Sequence, residues 1–242
     1  LSYCVNLVLN IVVTLRMAQF RRYHVFSHLP RPVLGTWRAL LAICVPIGLT
    51  VFCEQSIFGA VGLLMAAYGT TVLAAHQAAM NFTTIVYMLP LSVSMAITII
   101  VGYEIGGGRE SGARAYIRLS RVLTLLFVGI VALVLAAMRD TVAALYTTDP
   151  AVQELLQVFL LYALLMQFSD CVNAPLQGAL RGYKDVTVTF WLAVLSFWGI
   201  GLPSGYLLAQ YTDLGPYGYW AGLIGGIVVG AVLLMIRLRI IE

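Results

Sequence analysis

Long apolar stretches recur along the whole of this 242-residue chain, and they limit its fold more than any other feature. A helix needs about 20 consecutive, mostly apolar residues to cross the hydrocarbon core of a bilayer. Only 10% of the residues are charged, against roughly 25% in typical soluble domains. The apolar stretches form seven spans, at residues 1–15, 39–67, 78–103, 119–138, 153–179, 187–210 and 218–236. The sequence therefore predicts an all-α integral membrane protein without a soluble domain.

The first span is too short to cross a bilayer by itself. It begins at Leu1 without an initiator Met, and it has neither the basic region nor the cleavage site of a signal peptide. We therefore expect it to be a truncated helix, and we expect the chain to be the C-terminal part of a longer protein.

Basic residues are distributed very unequally between the two sides of the predicted helices. Thirteen of the 14 Lys and Arg residues lie in or beside the segments that follow spans one, three, five and seven, which share one side of the membrane. Only Arg139 lies on the other side. By the positive-inside rule the crowded side is cytoplasmic. The basic residues thus report topology and contact with anionic membrane lipids. We expect a multi-pass protein of the inner (plasma) membrane that binds no nucleic acid.

Residues that commonly bind transition metals do not form a recognisable site. The four cysteines lie inside the predicted spans without a C-x-x-C spacing, which predicts neither a disulfide nor a metal centre. His24 and His28 have the i, i+4 spacing of a helical metal site, but two prolines follow them and no acid or thiol is near. We expect no cofactor in this chain.

Two carboxylates, Glu54 and Asp170, lie deep inside predicted spans, whereas the other eight acids lie in loops or at span ends. An acid at the middle of a bilayer costs roughly 3 kcal/mol on insertion scales, so a chain that retains one pairs it, turns it toward water or uses it. No Lys or Arg is predicted at either depth, which leaves no simple salt bridge within the chain. Glu54 and Asp170 are therefore the leading candidates for functional residues.

Polar residues share the helix face of Asp170. At about 100° per residue, Asp170, Asn173 and Gln177 fall within a sector of roughly 60°. Pro175 in the same span frees a backbone carbonyl, because proline has no N–H for the helical hydrogen bond, and another group must satisfy that carbonyl. We expect this face to contact water or a bound ligand.

Polar stripes also mark two other spans. Thr50 and Phe58 stand four residues before and after Glu54, which places an aromatic ring one turn from the carboxylate, an arrangement that suits a cation. The third span carries a similar stripe over Gln77, Asn81, Thr84 and Met88. Such stripes favour a shared cavity, although amides and hydroxyls also join helices directly in membrane bundles. The residues expected to line the cavity are Thr50, Phe58, Asn81, Thr84, Met88, Asn173 and Gln177.

The two deep carboxylates are suited to either of two coupling ions. A carboxyl group away from water holds a proton and releases it where water reaches it. Carboxylate, amide and carbonyl oxygens also suit a hard cation such as sodium. Either ion couples a gradient to movement, and the sequence does not choose between a proton and a sodium ion at Glu54 and Asp170.

Three segments around these residues resemble the MATE (multidrug and toxic compound extrusion) family of transporters. The segment CVPIGLTVFCEQSIF resembles the start of that family's second six-helix bundle. Its acid, within the pattern E-x-x-x-F, resembles the corresponding acid of the family's NorM-like branch. The fourth helix of the bundle, with a second acid just before a cytoplasmic L-R-G turn, is similar to FSDCVNAPLQGALRGYKD. The family's Gly-rich loop is similar to IVGYEIGGGRESGARAY.

The resemblance implies a twelve-helix antiporter with two bundles around a central cleft. Residues 1–33 would then be the end of the preceding bundle's last helix and the cytoplasmic loop between the lobes, and residues 34–242 the C-terminal six-helix bundle. The implied activity is export of cationic organic compounds in exchange for sodium or protons, with Glu54 and Asp170 binding the coupling ion and Phe58 facing the cation. The implied partner is the N-terminal bundle of the same transporter, without which this lobe is not expected to transport.

Three other classes of protein fit the sequence less well. A lipid-linked carrier flippase of the same superfamily remains the main alternative, but it favours basic residues inside its cavity to bind pyrophosphate, and none is predicted there. A seven-helix receptor conflicts with the incomplete first span. An intramembrane enzyme needs a Ser/His pair, paired Asp residues or a metal cluster, and the predicted spans contain none, so we do not expect an enzyme.

Overall fold

The computed structural model describes residues 2–16 and 34–242 and shows helices and short turns in these two ranges. The predicted loop between the lobes, with His24 and His28, lies outside the described residues. Contacts within the chain divide it into two units, Leu1–Ala42 and Ile43–Glu242. The fold of the second unit is the one that positions the candidate site.

The described residues form seven helices. Their bounds are α1 Ser2–Arg16, α2 Leu34–Ala66, α3 Thr70–Gly106, α4 Glu110–Tyr146, α5 Pro150–Gly182, α6 Val186–Tyr211 and α7 Pro216–Ile241. Helices α2 to α7 are long and apolar enough to span a membrane, which confirms the prediction of six membrane helices, and α1 is a shorter apolar helix. Most helices run several residues beyond the predicted apolar spans, because helical hydrogen bonds continue into polar turns that hydropathy does not detect.

Very short loops connect the helices of the second unit, so consecutive helices run in opposite directions. The loops at residues 107–109 and 183–185 lie at one end, which we call the basic end because Arg109, Arg114, Arg118, Arg181 and Lys184 surround them. The loops at 67–69, 147–149 and 212–215 lie at the other end. At the basic end Arg237 of α7 donates to the Asp185 carboxylate at 2.6 Å, which ties the 183–185 loop to the last helix.

Glycine allows α3 and α5 to pack closely. A Cβ atom on Gly178 would overlap the backbone carbonyl of Ser94, and one on Gly182 would lie 2.7 Å from the Cβ of Val101. Because the backbones are this close, the Ser94 hydroxyl reaches the carbonyl of Ala174 at 2.7 Å and the Thr98 hydroxyl reaches that of Gly178 at 3.0 Å. Small residues and interhelical hydrogen bonds of this kind hold membrane helices together where lipid supplies no hydrophobic driving force.

A π-helical segment interrupts α6 at Leu195–Gly201. It ends two residues before Pro203, which has no N–H to offer to the carbonyl of Gly199, so the hydrogen-bond register of the helix shifts. The segment turns Phe197 toward the interior of the bundle, and the Trp198 indole N–H donates to the Cys53 carbonyl of α2 at 3.2 Å. The interruption therefore joins α6 to the helix that carries Glu54.

The carbonyl that Pro175 frees within α5 does find a donor. It belongs to Cys171, four residues earlier, and the fully buried hydroxyl of Thr124 on α4 donates to it at 2.8 Å. The sequence predicted that this carbonyl needed a partner but did not identify Thr124. A tertiary contact thus replaces the missing helical hydrogen bond.

Replacing Thr124 by Val is expected to destabilise the protein by about 1 kcal/mol, because the Cys171 carbonyl then stays unsatisfied in an apolar interior. The midpoint of thermal unfolding, measured on purified protein in detergent, should fall. The control is Thr14→Val on α1, where the exposed hydroxyl donates to the Asn10 carbonyl within its own helix and its loss should leave the midpoint unchanged. Equal midpoints for Thr124→Val and wild type would contradict the assignment.

Candidate cation-binding cavity

A cavity of about 250 Å³ lies among α2, α3, α5 and α6, within the second unit. Both deep carboxylates, Glu54 and Asp170, contribute to its wall. The remaining lining residues are Gln55, Phe58, Met80, Thr83, Thr84, Tyr87, Met88, Leu91, Met166, Asn173, Ala174, Gln177 and Phe197. Two residues that lie 116 positions apart in the sequence therefore meet in one chamber.

Seven of the nine predicted site residues border this cavity. They are Glu54, Phe58, Thr84, Met88, Asp170, Asn173 and Gln177. Thr50 and Asn81 are outside the lining. Thr50 is 2% exposed, and its hydroxyl donates to the Pro46 carbonyl of its own helix at 2.8 Å. Asn81 accepts a hydrogen bond from the Tyr146 hydroxyl of α4 at 3.2 Å, so its amide contacts α4.

Several lining residues escaped the sequence prediction, and most of them are apolar or aromatic. Tyr87 lies three residues after Thr84 and one before Met88, so the α3 stripe contained a signal for it. Met80 and Thr83 flank the same stripe one turn earlier. Phe197 carried no such signal. It lies in the π-helical segment of α6, where the residues per turn differ from those of an α-helix, so α-helical spacing does not predict which way its side chain points.

The Glu54 carboxylate receives a short hydrogen bond from the side chain of Gln177. The Gln177 amide nitrogen lies 2.6 Å from Glu54 Oε1 and 3.3 Å from Asn173 Oδ1. The Gln177 carbonyl oxygen in turn accepts a hydrogen bond from Arg181 at 3.1 Å. Arg181 follows the predicted fifth span, but α5 continues to Gly182, so Arg181 occupies its last turn and reaches this network.

Asp170 has a different environment from Glu54. In the described part of the chain its carboxylate receives no hydrogen bond, although the residue lines the cavity. The salt bridges found among residues 2–16 and 34–242 join Glu104 to Arg109, Arg139 to Asp140 and Asp185 to Arg237. Neither deep acid is therefore paired directly with a basic side chain of the described residues.

The lining of the cavity combines two kinds of chemistry. Carboxylate, amide and hydroxyl groups come from Glu54, Asp170, Asn173 and Thr84, and they are ligands suited to a hard cation or a proton. Thioether and aromatic side chains come from Met80, Met88, Met166, Phe58 and Phe197, of which the first four lie one helical turn from the polar groups on α2, α3 and α5. Thioethers adapt to irregular ligands, and aromatic faces attract cations. The cavity is thus suited to a small ion or to an apolar molecule with a positive charge.

Comparison with known proteins gives consistent matches. The protein-family model described as MatE matches residues 46–207. The "Probable multidrug resistance protein NorM" of Oceanobacillus iheyensis is 48% identical over 243 residues, which cover 100% of this chain and 54% of that protein. The protein of the same name from Bacillus subtilis is 46% identical over 238 residues, covering 98% of this chain and 53% of that protein. The chain spans about half the length of the curated relatives it matches.

Solved structures show the same fold at low sequence identity. The crystal structure of the eukaryotic MATE transporter AtDTX14 superimposes with a TM-score of 0.87 at 18% identity, covering 98% of this chain and 53% of that chain. The bent form of the Vibrio cholerae MATE transporter VcmN gives a TM-score of 0.76 at 19% identity, covering 87% of this chain and 48% of that chain. Each solved chain is therefore about twice as long as the region it shares with this one.

Proposed function

Because this chain belongs to the MatE family of transporters, which are not enzymes, we propose that it is the C-terminal lobe of a multidrug efflux antiporter. The complete protein exports cationic organic compounds in exchange for sodium ions or protons. The N-terminal lobe of the same transporter is its principal partner, since this chain matches about half of each relative. The six membrane helices and the bacterial relatives indicate a multi-pass protein of the plasma membrane, in contact with lipid.

Two acids and several Met and Phe side chains line the same cavity, and this combination carries the proposal. Glu54 and Asp170 supply negative charge, and the described residues of the lining include no Lys or Arg to neutralise it. The Met and Phe side chains of the lining supply contact area for an organic body. A lipophilic cation is the class of ligand that both features support.

Coupling follows when the ion and the organic cation use the same charges. A bound ion can shift the equilibrium between inward-open and outward-open states only by its difference in affinity for the two states. If the ion and the drug compete for Glu54 and Asp170, then loading one releases the other, and the direction of the gradient sets the direction of export. Both a sodium ion and a proton meet this requirement at carboxylates.

The flippase alternative receives no support from the cavity. A pyrophosphate-linked lipid carries concentrated negative charge, which two carboxylates repel and which basic side chains would be needed to bind. The described lining residues supply the two carboxylates and no base. We therefore propose export of cations and not transfer of an anionic lipid carrier.

The test uses the full-length transporter that contains this chain, reconstituted into lipid vesicles. Efflux of ethidium, a flat fluorescent cation, is followed with a sodium gradient or a proton gradient imposed separately. We expect transport under at least one gradient, and that gradient identifies the coupling ion. Absence of ethidium transport under both gradients, with a matched anionic dye carried instead, would overturn the proposed function.

A further inference from the structure

The side-chain amide of Gln177 lies between two groups of opposite charge. Its nitrogen is 2.6 Å from the Glu54 carboxylate, and its oxygen is 3.1 Å from the Arg181 guanidinium. A guanidinium only donates hydrogen bonds and a carboxylate only accepts them. Just one orientation of the amide satisfies both neighbours, since a 180° rotation would set donor against donor and acceptor against acceptor.

Packing holds this amide in place. Gln177 is 7% exposed, and its nitrogen also contacts Asn173 Oδ1 at 3.3 Å. Arg181 follows four residues later on α5, so its guanidinium lies one helical turn toward the basic end. The guanidinium therefore reinforces the orientation that the acceptors on Glu54 and Asn173 also favour.

The selected orientation opposes cation binding at Glu54. The amide nitrogen donates to Glu54 Oε1 and presents hydrogen atoms that carry partial positive charge to the carboxylate. The amide oxygen, which is a good ligand for a hard cation, accepts its hydrogen bond from Arg181 instead. A cation at Oε1 therefore competes with the Gln177 amide, and a cation at Oε2 lacks the amide oxygen as a second ligand.

We propose that Arg181 is a positioning residue that weakens cation binding at Glu54 by fixing the amide orientation of Gln177. Without the guanidinium, rotation of the amide no longer sets its NH2 group against a donor, so the amide can more readily offer its oxygen to a cation at Glu54. Arg181 thus favours the cation-free arrangement and promotes release toward the next step of the cycle. This inference rests on the proposed function, because it applies only if the cavity binds a cation.

A direct effect of the Arg181 charge has to be separated from an effect through Gln177. Removing one positive charge near the cavity favours cations whatever the amide does. A double-mutant cycle with Gln177→Met distinguishes the two, because methionine keeps the length of the side chain but has no amide to orient. Arg181→Lys tests rescue, since lysine retains both the charge and a hydrogen-bond donor.

The experiment measures equilibrium binding of ethidium to the purified full-length transporter by fluorescence anisotropy. Arg181→Gln should lower the Kd about fivefold, which is the factor that one ordinary hydrogen bond contributes. Arg181→Lys should remain near wild type. In the Gln177→Met background, Arg181→Gln should change the Kd by less than about twofold. Arg118→Gln is the matched control, because this exposed arginine of the basic end is outside the cavity lining.

Four results would overturn the inference. An unchanged Kd for Arg181→Gln means that the guanidinium does not oppose binding. If Arg181→Gln lowers the Kd equally in the Gln177→Met background, the guanidinium acts by its charge alone. An equal decrease for Arg118→Gln would indicate a general effect of surface charge. Absence of saturable ethidium binding by wild type would contradict the proposed function itself. If Arg181→Gln fails to fold, Arg181→Met replaces it with the same expectations.

Discussion

Neutralising either deep acid should abolish ion-driven efflux by the complete transporter while leaving the protein folded. For Glu54→Gln or Asp170→Asn we expect the initial rate of ethidium efflux to fall by about tenfold or more, the scale of coupling between sites in transport and allostery. The loss follows because the ion biases the conformational equilibrium through its affinity for these charges. Without the charge, the gradient no longer drives export.

The contacts of the two acids explain why folding should survive. Glutamine at position 54 still presents an oxygen to the Gln177 amide, which donates to Glu54 at 2.6 Å in the wild type. Asp170 receives no hydrogen bond from the described residues, so asparagine removes none there. Both substitutions conserve volume and delete charge only.

This loss is measured as efflux of ethidium from vesicles at matched protein levels. Sodium and proton gradients are imposed separately. The control is Glu154→Gln, which removes an exposed acid from the same helix as Asp170 but outside the cavity lining, and which should transport normally. Wild-type rates for both Glu54→Gln and Asp170→Asn would show that the two acids are structural.

Adding one methyl group at Gly178 should destabilise the protein by about 1–3 kcal/mol, the usual cost of overpacking a well-filled interior. The Cβ of alanine would overlap the Ser94 carbonyl, and a Cβ has no rotamer by which to move away. Helix α3 must therefore shift from α5, which breaks the hydrogen bonds that Ser94 and Thr98 donate to α5. Since α3 also carries Thr84 and Tyr87, binding in the cavity should weaken as well.

The matched control for Gly178→Ala is Gly59→Ala in α2. Gly59 is also helical, but a Cβ there would have no neighbouring atom within 4 Å. Alanine is favoured over glycine in a helix by up to about 1 kcal/mol, so the control should be neutral or stabilising. The midpoints of thermal unfolding in detergent compare the two variants. A Gly178→Ala protein as stable as Gly59→Ala would contradict the close approach of α3 and α5.

The amino-acid sequence by itself determined the fold class and the acids that stand out within it. Hydropathy and length specify six membrane helices, since a bilayer admits few charged residues and the chain has only 24. Glu54 and Asp170 were identifiable for the same reason, as acids where acids are costly. Helical periodicity also placed Asn173 and Gln177 on the face of Asp170, because neighbours on one helix have fixed angular positions.

Only the tertiary structure decided which of these faces meet and which residues complete them. The α3 stripe was wider than the cavity, so periodicity could not tell that Asn81 contacts Tyr146 of α4 while Tyr87 lines the chamber. Likewise, the partner of the Cys171 carbonyl is a hydroxyl 47 residues away. The connection from Arg181 through Gln177 to Glu54 joins residues on two helices. Such contacts depend on how close two helix backbones come to each other. The packing of the whole bundle sets that distance, as it does at Gly178, and no local sequence pattern determines it.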